Sequence, residues 1–447
     1  MSTPDGAADP AAEPAAGVAS RQAAASALIH IHAEQAWASP VVDRVLTAGS
    51  LDLRDRSFVA NLVFSALRWE GTLDWVLAGR ISRSLNDVEV ELLDVLRLGT
   101  WELLYGNAPS RAVVHAWVEV ARLLVGQRAT GFVNGVLRGV TRAADDLPWP
   151  DPTTDEGLAL QYGYPIWVVT EARQRFGDAR AAAVLDAGNQ PAPLVLRALG
   201  ARDDLLAVLA DQGIEAEPGR LSRDAVVLSQ RHVPGDLQVI RDGLATVQDQ
   251  ASQVIGLAAA DGLPAGATAI DLCAAPGGKS THLAQQGLQV TAVDRHAGRL
   301  RRTASLAAHL GLSIDTLLAD GTATGLPEGQ ADLVLVDAPC SGLGVVRRRP
   351  ELRWRRDAAS VGALAVLQTD LLRAAVGLAK PGGRVAYAVC TWTEAETDAV
   401  VRTVVADGQV VEQPAPAVGT PTAFGVQMAP DTDDGDGMYL AVLQRRE

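Results

Sequence analysis

The run Asp271-Leu272-Cys273-Ala274-Ala275-Pro276-Gly277-Gly278-Lys279-Ser280-Thr281 follows an apolar, strand-like stretch and opens a helical one. A strand, a turn with adjacent glycines and a helix start present backbone N–H groups and the positive end of a helix to a ligand. That arrangement suits a carboxylate, a phosphate or a sugar edge. Gly278-Lys279-Ser280 has the look of a nucleotide phosphate loop, but that motif needs a glycine five positions before its Gly-Lys pair, and Cys273 stands there. The run therefore reads as a cofactor cradle, set against the plainer reading of a βα turn with no ligand.

On its carboxyl side, strand candidates at 267–273, 289–294, 314–319, 331–337, 384–390 and 439–444 alternate with helical patterns, notably 296–310 and 359–378. Alternating βα units predict an α/β domain with a mainly parallel sheet and helices on both faces, Rossmann-like in plan. In such sheets ligands bind beyond the carboxyl ends of the strands. Asp294 ends the second strand about twenty residues after the cradle, where an acid can accept hydrogen bonds from ribose hydroxyls. Asp320 follows the third, in reach of an exocyclic amine, or alternatively serves only as a cap. The fourth and fifth strands end in Asp337-Ala338-Pro339-Cys340-Ser341-Gly342 and Tyr387-Ala388-Val389-Cys390-Thr391. Two thiols at one sheet edge point to nucleophilic chemistry, since nearby positive charge or a helix start favours the thiolate. Carbon-5 of a pyrimidine is too weak a nucleophile to take a methyl group unaided. Thiolate addition at C6 makes it an enamine, and a carboxyl such as Asp337 can orient N3 and N4.

On the amino side, residues 1–18 are mostly Ala, Pro, Gly, Asp and Glu with little to bury, which predicts a disordered tail. Residues 19–145 carry helical periodicity, as in Leu92, Leu93, Val95, Leu96, Leu98, Trp101, Leu103 and Leu104, and predict an all-α bundle. Ser84 or Asn86 is a candidate cap for that helix and Gly106 its candidate end. Arg54, Arg56, Arg68, Arg80, Arg111, Arg122, Arg128, Arg138 and Arg142 lie along the bundle and read equally as a solvated face. Residues 146–245 predict a proline-bearing linker and a small α/β connector, with residues 246–447 as the α/β domain.

The length allows two or three domains. The formal net charge is −14, so any nucleic-acid contact must come from local basic patches. Three cysteines, Cys273, Cys340 and Cys390, fit a reducing compartment, and no run of eighteen apolar residues or secretory signal is evident, so a cytoplasmic protein without membrane contact is expected. Seven histidines without ligand spacing predict no metal. The densest basic cluster, Arg347, Arg348, Arg349, Arg353, Arg355 and Arg356 with Trp354 interleaved, predicts phosphate contacts and base stacking.

Two resemblances add to this reading. Arg54-Asp55-Arg56, Leu67-Arg68-Trp69 and Phe132-Val133-Asn134-Gly135-Val136-Leu137-Arg138 resemble the NusB-type RNA-binding helical domain. Asp271 to Thr281, Asp337 to Gly342, Cys390-Thr391, Val247-Gln248-Asp249-Gln250-Ala251-Ser252 and Arg348-Arg349-Pro350-Glu351-Leu352-Arg353-Trp354 resemble the signature segments of Sun-type RNA cytosine-5 methyltransferases. Together they are similar to the bacterial family that methylates a cytosine of 16S ribosomal RNA. The resemblance implies a class I methyltransferase fold and S-adenosylmethionine as cofactor. It implies cofactor contacts from Cys273, Ala274, Ala275, Pro276, Gly277, Gly278, Lys279, Asp294, Asp320 and Asp337. It further implies Cys390 as nucleophile, Cys340 as the thiol that assists release, and 16S ribosomal RNA as partner to a monomeric enzyme. The family's usual Ser-Thr before the nucleophile is Ala388-Val389 here, and its asparagine after Arg197 is Ala198. A DNA cytosine-5 methyltransferase using Cys340, or a non-catalytic RNA-binding assembly factor, stays open at this level.

Overall fold

The computed structural model describes residues 17–48, 51–230, 232–414 and 416–447. The predicted disordered tail lies outside the described residues except for Gly17 and Val18, and Val18 already begins a helix. The chain divides into two compact units, residues 1–166 with 349–351, and residues 167–348 with 352–447.

The first unit is helical: α1 (Val18–Ala33), α2 (Ala38–Ala48), α3 (Leu53–Ala78), α4 (Val90–Tyr105), α5 (Ser110–Leu124), α6 (Thr130–Ala143) and α7 (Asp155–Tyr162). Apolar residues three and four apart place Leu28, Leu67, Leu96, Trp117, Val133 and Leu137 in one core. Ser84 caps a short 3-10 turn, Leu85–Asp87, and α4 starts after Glu89, so the predicted cap serves the turn before the helix. Gly106 does end α4. The Trp117 indole N–H donates to Glu102 Oε2 at 2.8 Å, and Arg21 pairs with the same carboxylate, so the buried acid keeps partners. The expected linker gives way at Asp155 to α7, whose cap is the Thr154 hydroxyl accepting from the Gly157 N–H at 3.0 Å.

The second unit begins with α8 (Ile166–Phe176) and α9 (Asp178–Ala187), then a small subdomain of β1 (Val195–Ala198), α10 (Arg202–Asp211), β2 (Ala216–Pro218), β3 (Ala225–Leu228), α11 (Gln238–Arg241) and β4 (Ala245–Val247). Its four strands pair antiparallel in the order β2-β3-β1-β4. After it come α12 (Gln250–Ala260), β5 (Thr268–Asp271), α13 (Gly278–Gln285), β6 (Gln289–Asp294), α14 (Ala297–His309), β7 (Asp315–Leu318), β8 (Ala331–Asp337), α15 (Ala358–Leu378), β9 (Ala379–Val389), α16 (Asp398–Ala406), β10 (Val410–Glu412), β11 (Thr420–Pro421), β12 (Val426–Met428) and β13 (Met438–Arg445).

These last nine strands form one sheet in the order β11-β12-β13-β9-β8-β5-β6-β7, with β10 also paired to β13. From β9 through β7 the pairing is parallel. From β13 outward it is antiparallel, an edge that the mainly parallel expectation did not contain. The parallel strands are apolar on both faces because helices cover both: Val334 and Val336 pack toward α15, Leu333 and Leu335 toward α12. One helix, α15, is long and apolar enough to cross a membrane by length and composition, but it supplies Leu371, Leu372, Ala375 and Val376 to the sheet's core.

Candidate active site

Adjacent βα units converge on the carboxyl edge of β6-β5-β8-β9. At β5 the chain turns through Gly277, whose φ of +106° and contact with Thr303 admit no side chain: a Cβ would lie 2.9 Å from Thr303 Cγ2. Gly277 offers α13 no side-chain cap, so the first N–H groups of that helix stay open toward the edge.

Three groups brace the turn from behind. Ser280 Oγ donates to Asp271 Oδ2 at 2.7 Å, and full burial of that carboxyl pushes its pKa up to about 7. Arg197, fully buried on β1, donates to the Gly278 carbonyl at 2.6 Å, to Gln248 Oε1 at 2.6 Å and to Thr281 Oγ1 at 3.0 Å. The small subdomain thus reaches the cradle through one guanidinium, whose pKa burial lowers to about 10. Arg197 is 0 % exposed and has its partners within the protein.

Lys279 points along the edge and pairs with Asp337 Oδ2 at 2.7 Å. Burial opposes its charge, but attraction to Asp337 and to Cys390 outweighs that, and the ammonium is held above its ordinary range. Asp294 accepts the His296 N–H on Oδ1 at 2.7 Å, leaving Oδ2 without a hydrogen bond among the described residues. Asp320 is exposed and accepts from the Thr322 N–H and hydroxyl at 2.9 and 2.7 Å, which holds it below the usual carboxylate range. Cys273, by contrast, is pushed up by burial and by the surrounding acids, so it stays a thiol.

Cys340 and Cys390, at the ends of β8 and β9, stand with their sulfurs 3.2 Å apart. The hydrogen bond to Cys390, reinforced by burial, raises the Cys340 thiol well above its ordinary range. The loops that carry them are tied by a residue that motif reading missed, Glu396. Its carboxylate is fully buried and accepts from the Ser341 N–H (2.8 Å), the Ser341 hydroxyl (2.5 Å), the Thr393 hydroxyl (2.8 Å) and the Gln368 amide (3.0 Å). Ser341 Oγ also lies 2.7 Å from Thr391 Oγ1. One sequence signal was available: Thr393-x-x-Glu396 has the form of a capping box. Ala388 and Val389, which replace the hydroxyls usual in the resembled family, are buried in the sheet between β8 and β13.

The basic cluster is corrected. Arg347 pairs with Asp436 Oδ1 at 2.7 Å and Asp249 Oδ2 at 3.3 Å, and Arg348 with the same two acids at 2.9 and 2.8 Å. Arg353 is 0 % exposed and donates to Asn189 Oδ1 and the Gly188 carbonyl at 2.7 and 2.9 Å. Guanidiniums spent on buried acids and carbonyls cannot also hold phosphates, so these three are structural clasps. Arg349 is exposed and stacks over Trp37 at 5.4 Å, while Trp354, Arg355 and Arg356 are half-buried. Among the described residues no cluster of acids, histidines and cysteines could hold a metal.

The cradle fits S-adenosylmethionine: open helix-terminal N–H groups suit its carboxylate, and the free oxygen of Asp294 suits a ribose hydroxyl. At the edge of a sheet of this order, it makes the second unit a methyltransferase domain of the S-adenosylmethionine-binding class. Residues 263–444 match the family model of 16S rRNA methyltransferase RsmB/F, residues 18–142 that of the NusB family, and residues 164–234 the ferredoxin-like domain of RsmF/B-like methyltransferases. A protein of Mycobacterium tuberculosis named as a methyltransferase is 38% identical, covering 95% of this chain and 96% of its own. Ribosomal RNA small subunit methyltransferase B of Serratia proteamaculans is 33% identical over 87% of this chain and 90% of its own. Among solved structures, PH0851 superposes with a TM-score of 0.82 at 20% identity over 96% of this chain and 99% of its own. A methyltransferase homologue from Pyrococcus horikoshii gives 0.57 at 23% identity, over 64% and 97%. The chain belongs to the RsmB/F family of S-adenosylmethionine-dependent rRNA methyltransferases.

Proposed function

We propose that the chain methylates C5 of a cytosine in 16S ribosomal RNA, with Cys390 as nucleophile and Cys340 as its proton-handling neighbour. The observation that carries this is the 3.2 Å thiol pair beside the Lys279–Asp337 ion pair. Two thiols in contact do not ionise together. Cys340 is the thiol held protonated, and Cys390 is the one beside the Lys279 ammonium, so the nucleophile's part goes to Cys390. Cys390 adds to C6 of the base, and the electron pair moves to C5, which Asp337 helps by holding the ring at N3 and N4. Cys273 to Lys279, Asp294, Asp320 and Asp337 would hold S-adenosylmethionine, whose sulfonium would give its methyl group to C5 and leave as the thioether. Once Cys390 is bonded to carbon, Cys340 gives its proton to solvent water and, as thiolate, takes the proton from C5. The C5–C6 double bond then re-forms and expels Cys390 as thiolate. The loops bearing both thiols are tied by Glu396 through Ser341 and Thr393.

Unmodified 16S RNA with labelled cofactor, followed by mapping of methylcytosine, tests the reaction. Cys390→Ala should reduce turnover by at least about 10⁴-fold, whereas Cys340→Ala should leave a covalent RNA complex that survives denaturing electrophoresis. Full turnover in Cys390→Ala, with none in Cys340→Ala, would reverse the assignment and favour the thiol after Pro339, as on DNA.

A further inference from the structure

With Arg347, Arg348 and Arg353 spent on protein partners, RNA contacts in this acidic protein must come from basic patches elsewhere. In the first unit, a groove of about 1030 Å³ runs between α5 and α6. Arg111, His115, Arg138 and Arg142 line it, and no acidic residue does. All four are exposed, and the three arginines make no ion pair among the described residues, unlike Arg122 nearby, which is spent on Glu119 at 2.5 Å. The start of α5 opens into the same groove at Ser110. The residue before it is Pro109, which has no side-chain cap to offer, so the N–H groups of Ser110 and Arg111 are available to an anion, while those of Ala112 and Val113 donate to the Pro109 carbonyl.

On the α6 side the groove is lined by Asn134, Arg138, Thr141 and Arg142, which recur at helical spacing along one face of that helix. A flexible chain with a charge at each step can lie there, with Asn134 as a hydrogen-bonding group beneath it.

We propose that the groove between α5 and α6 binds the sugar–phosphate backbone of the RNA substrate, its phosphates held by Arg111, Arg138, Arg142 and the amino end of α5. The alternative occupant, an acidic protein segment, needs fewer donors spread over a length of this kind, whereas three guanidiniums, a helix start and an amide with no opposing acid complement a polyanion. This rests on the RNA reading above and names where the first unit grips.

The test uses the full chain without methyl donor and an unmodified 16S RNA transcript as probe, with binding measured from low to moderate salt. The triple variant R111Q/R138Q/R142Q should weaken binding at least about tenfold, and the slope of log affinity against log salt should fall by about 2, as expected for three lost contacts to single-stranded phosphates. R111K/R138K/R142K should keep most of the affinity, which separates charge from misfolding, and Arg122→Gln should change nothing. Unchanged affinity and slope in the glutamine triple variant would overturn the proposal. So would loss of its activity only on assembled ribosomal particles, with naked-RNA binding intact, because the groove would then serve a protein. Binding and methyl transfer are read separately: RNA affinity lost in the variant while the wild-type chain transfers no methyl group keeps the groove and sinks the cytosine reading.

Discussion

Glu396 carries an energetic argument that can be checked directly. A buried carboxylate is tolerable when its lone pairs are filled, and here four donors fill them, from the loop after β8, the loop after β9 and α15. Glu396→Gln keeps the shape but turns one oxygen into a donor facing donors, at a loss of roughly 2–3 kcal/mol. The expected outcome is a fall in kcat with the affinity for S-adenosylmethionine, measured by calorimetry, little changed, because the cradle at β5 lies on separate hydrogen bonds. Wild-type kcat in this variant would remove Glu396 from any positioning role. At this scale the sequence exposed residues with chemistry of their own, such as Cys340, Cys390 and Asp337. It hid those that act by holding others, because Arg197 and Glu396 declare themselves only when partners distant in the chain are brought beside them.

Among elements, the clasp formed by Asp249, Asp436, Arg347 and Arg348 joins the start of α12, the loop after Cys340 and the turn before β13. Asp249 also caps α12 by accepting the Ala251 N–H, and it receives the Asp436 N–H at 2.9 Å. Burial pushes the Asp436 carboxyl up, against the pull of both arginines, so the set is finely opposed. Asp436→Ala leaves buried guanidinium charge uncompensated and should destabilise the second unit by roughly 3–5 kcal/mol in urea unfolding; a shift under about 1 kcal/mol would show that water or rearrangement replaces the acid. The segment around Arg348 looks like an RNA face in sequence for a physical reason: a run of arginines reads the same whether it meets solvent or acids about a hundred residues away. Strand periodicity, in contrast, was legible. The expected limits of 289–294 and 331–337 are those observed for β6 and β8, since a buried parallel strand needs an unbroken apolar run. The short antiparallel strands β10, β11 and β12 have too few residues to carry a period, and they went unread.

At the scale of the whole molecule, the helical unit contains a titrating device independent of catalysis. His32 lies 2.8 Å from Asp94 and 3.4 Å from Glu70, and Arg97 pairs with Glu70, Asp74 and Asp94. Burial disfavours the imidazolium, but the two acids outweigh it and raise the pKa from 6.5 to about 9. A raised histidine binds its proton more tightly when folded, so its contribution is complete below pH 6.5 and fades as pH rises through 9. The gap corresponds to roughly 3 kcal/mol. Calorimetry should find the first unit's transition falling between pH 6.5 and 9.5 by more in the wild type than in His32→Gln; equal slopes would contradict it. The helical pattern and the NusB resemblance made this unit recognisable, whereas its ion network was invisible in a list of charges.

The position of β13 sets an order in time. It lies between β9, which ends just before Cys390, and the outer strands, and Gly437 just before it donates its N–H to the Gly344 carbonyl at 2.8 Å in the loop after Cys340. A growing chain that has already exposed the cradle and both thiols still holds β9 as a bare edge. The register of the two thiol-bearing loops thus depends on a strand made after both thiols, at the chain's far end.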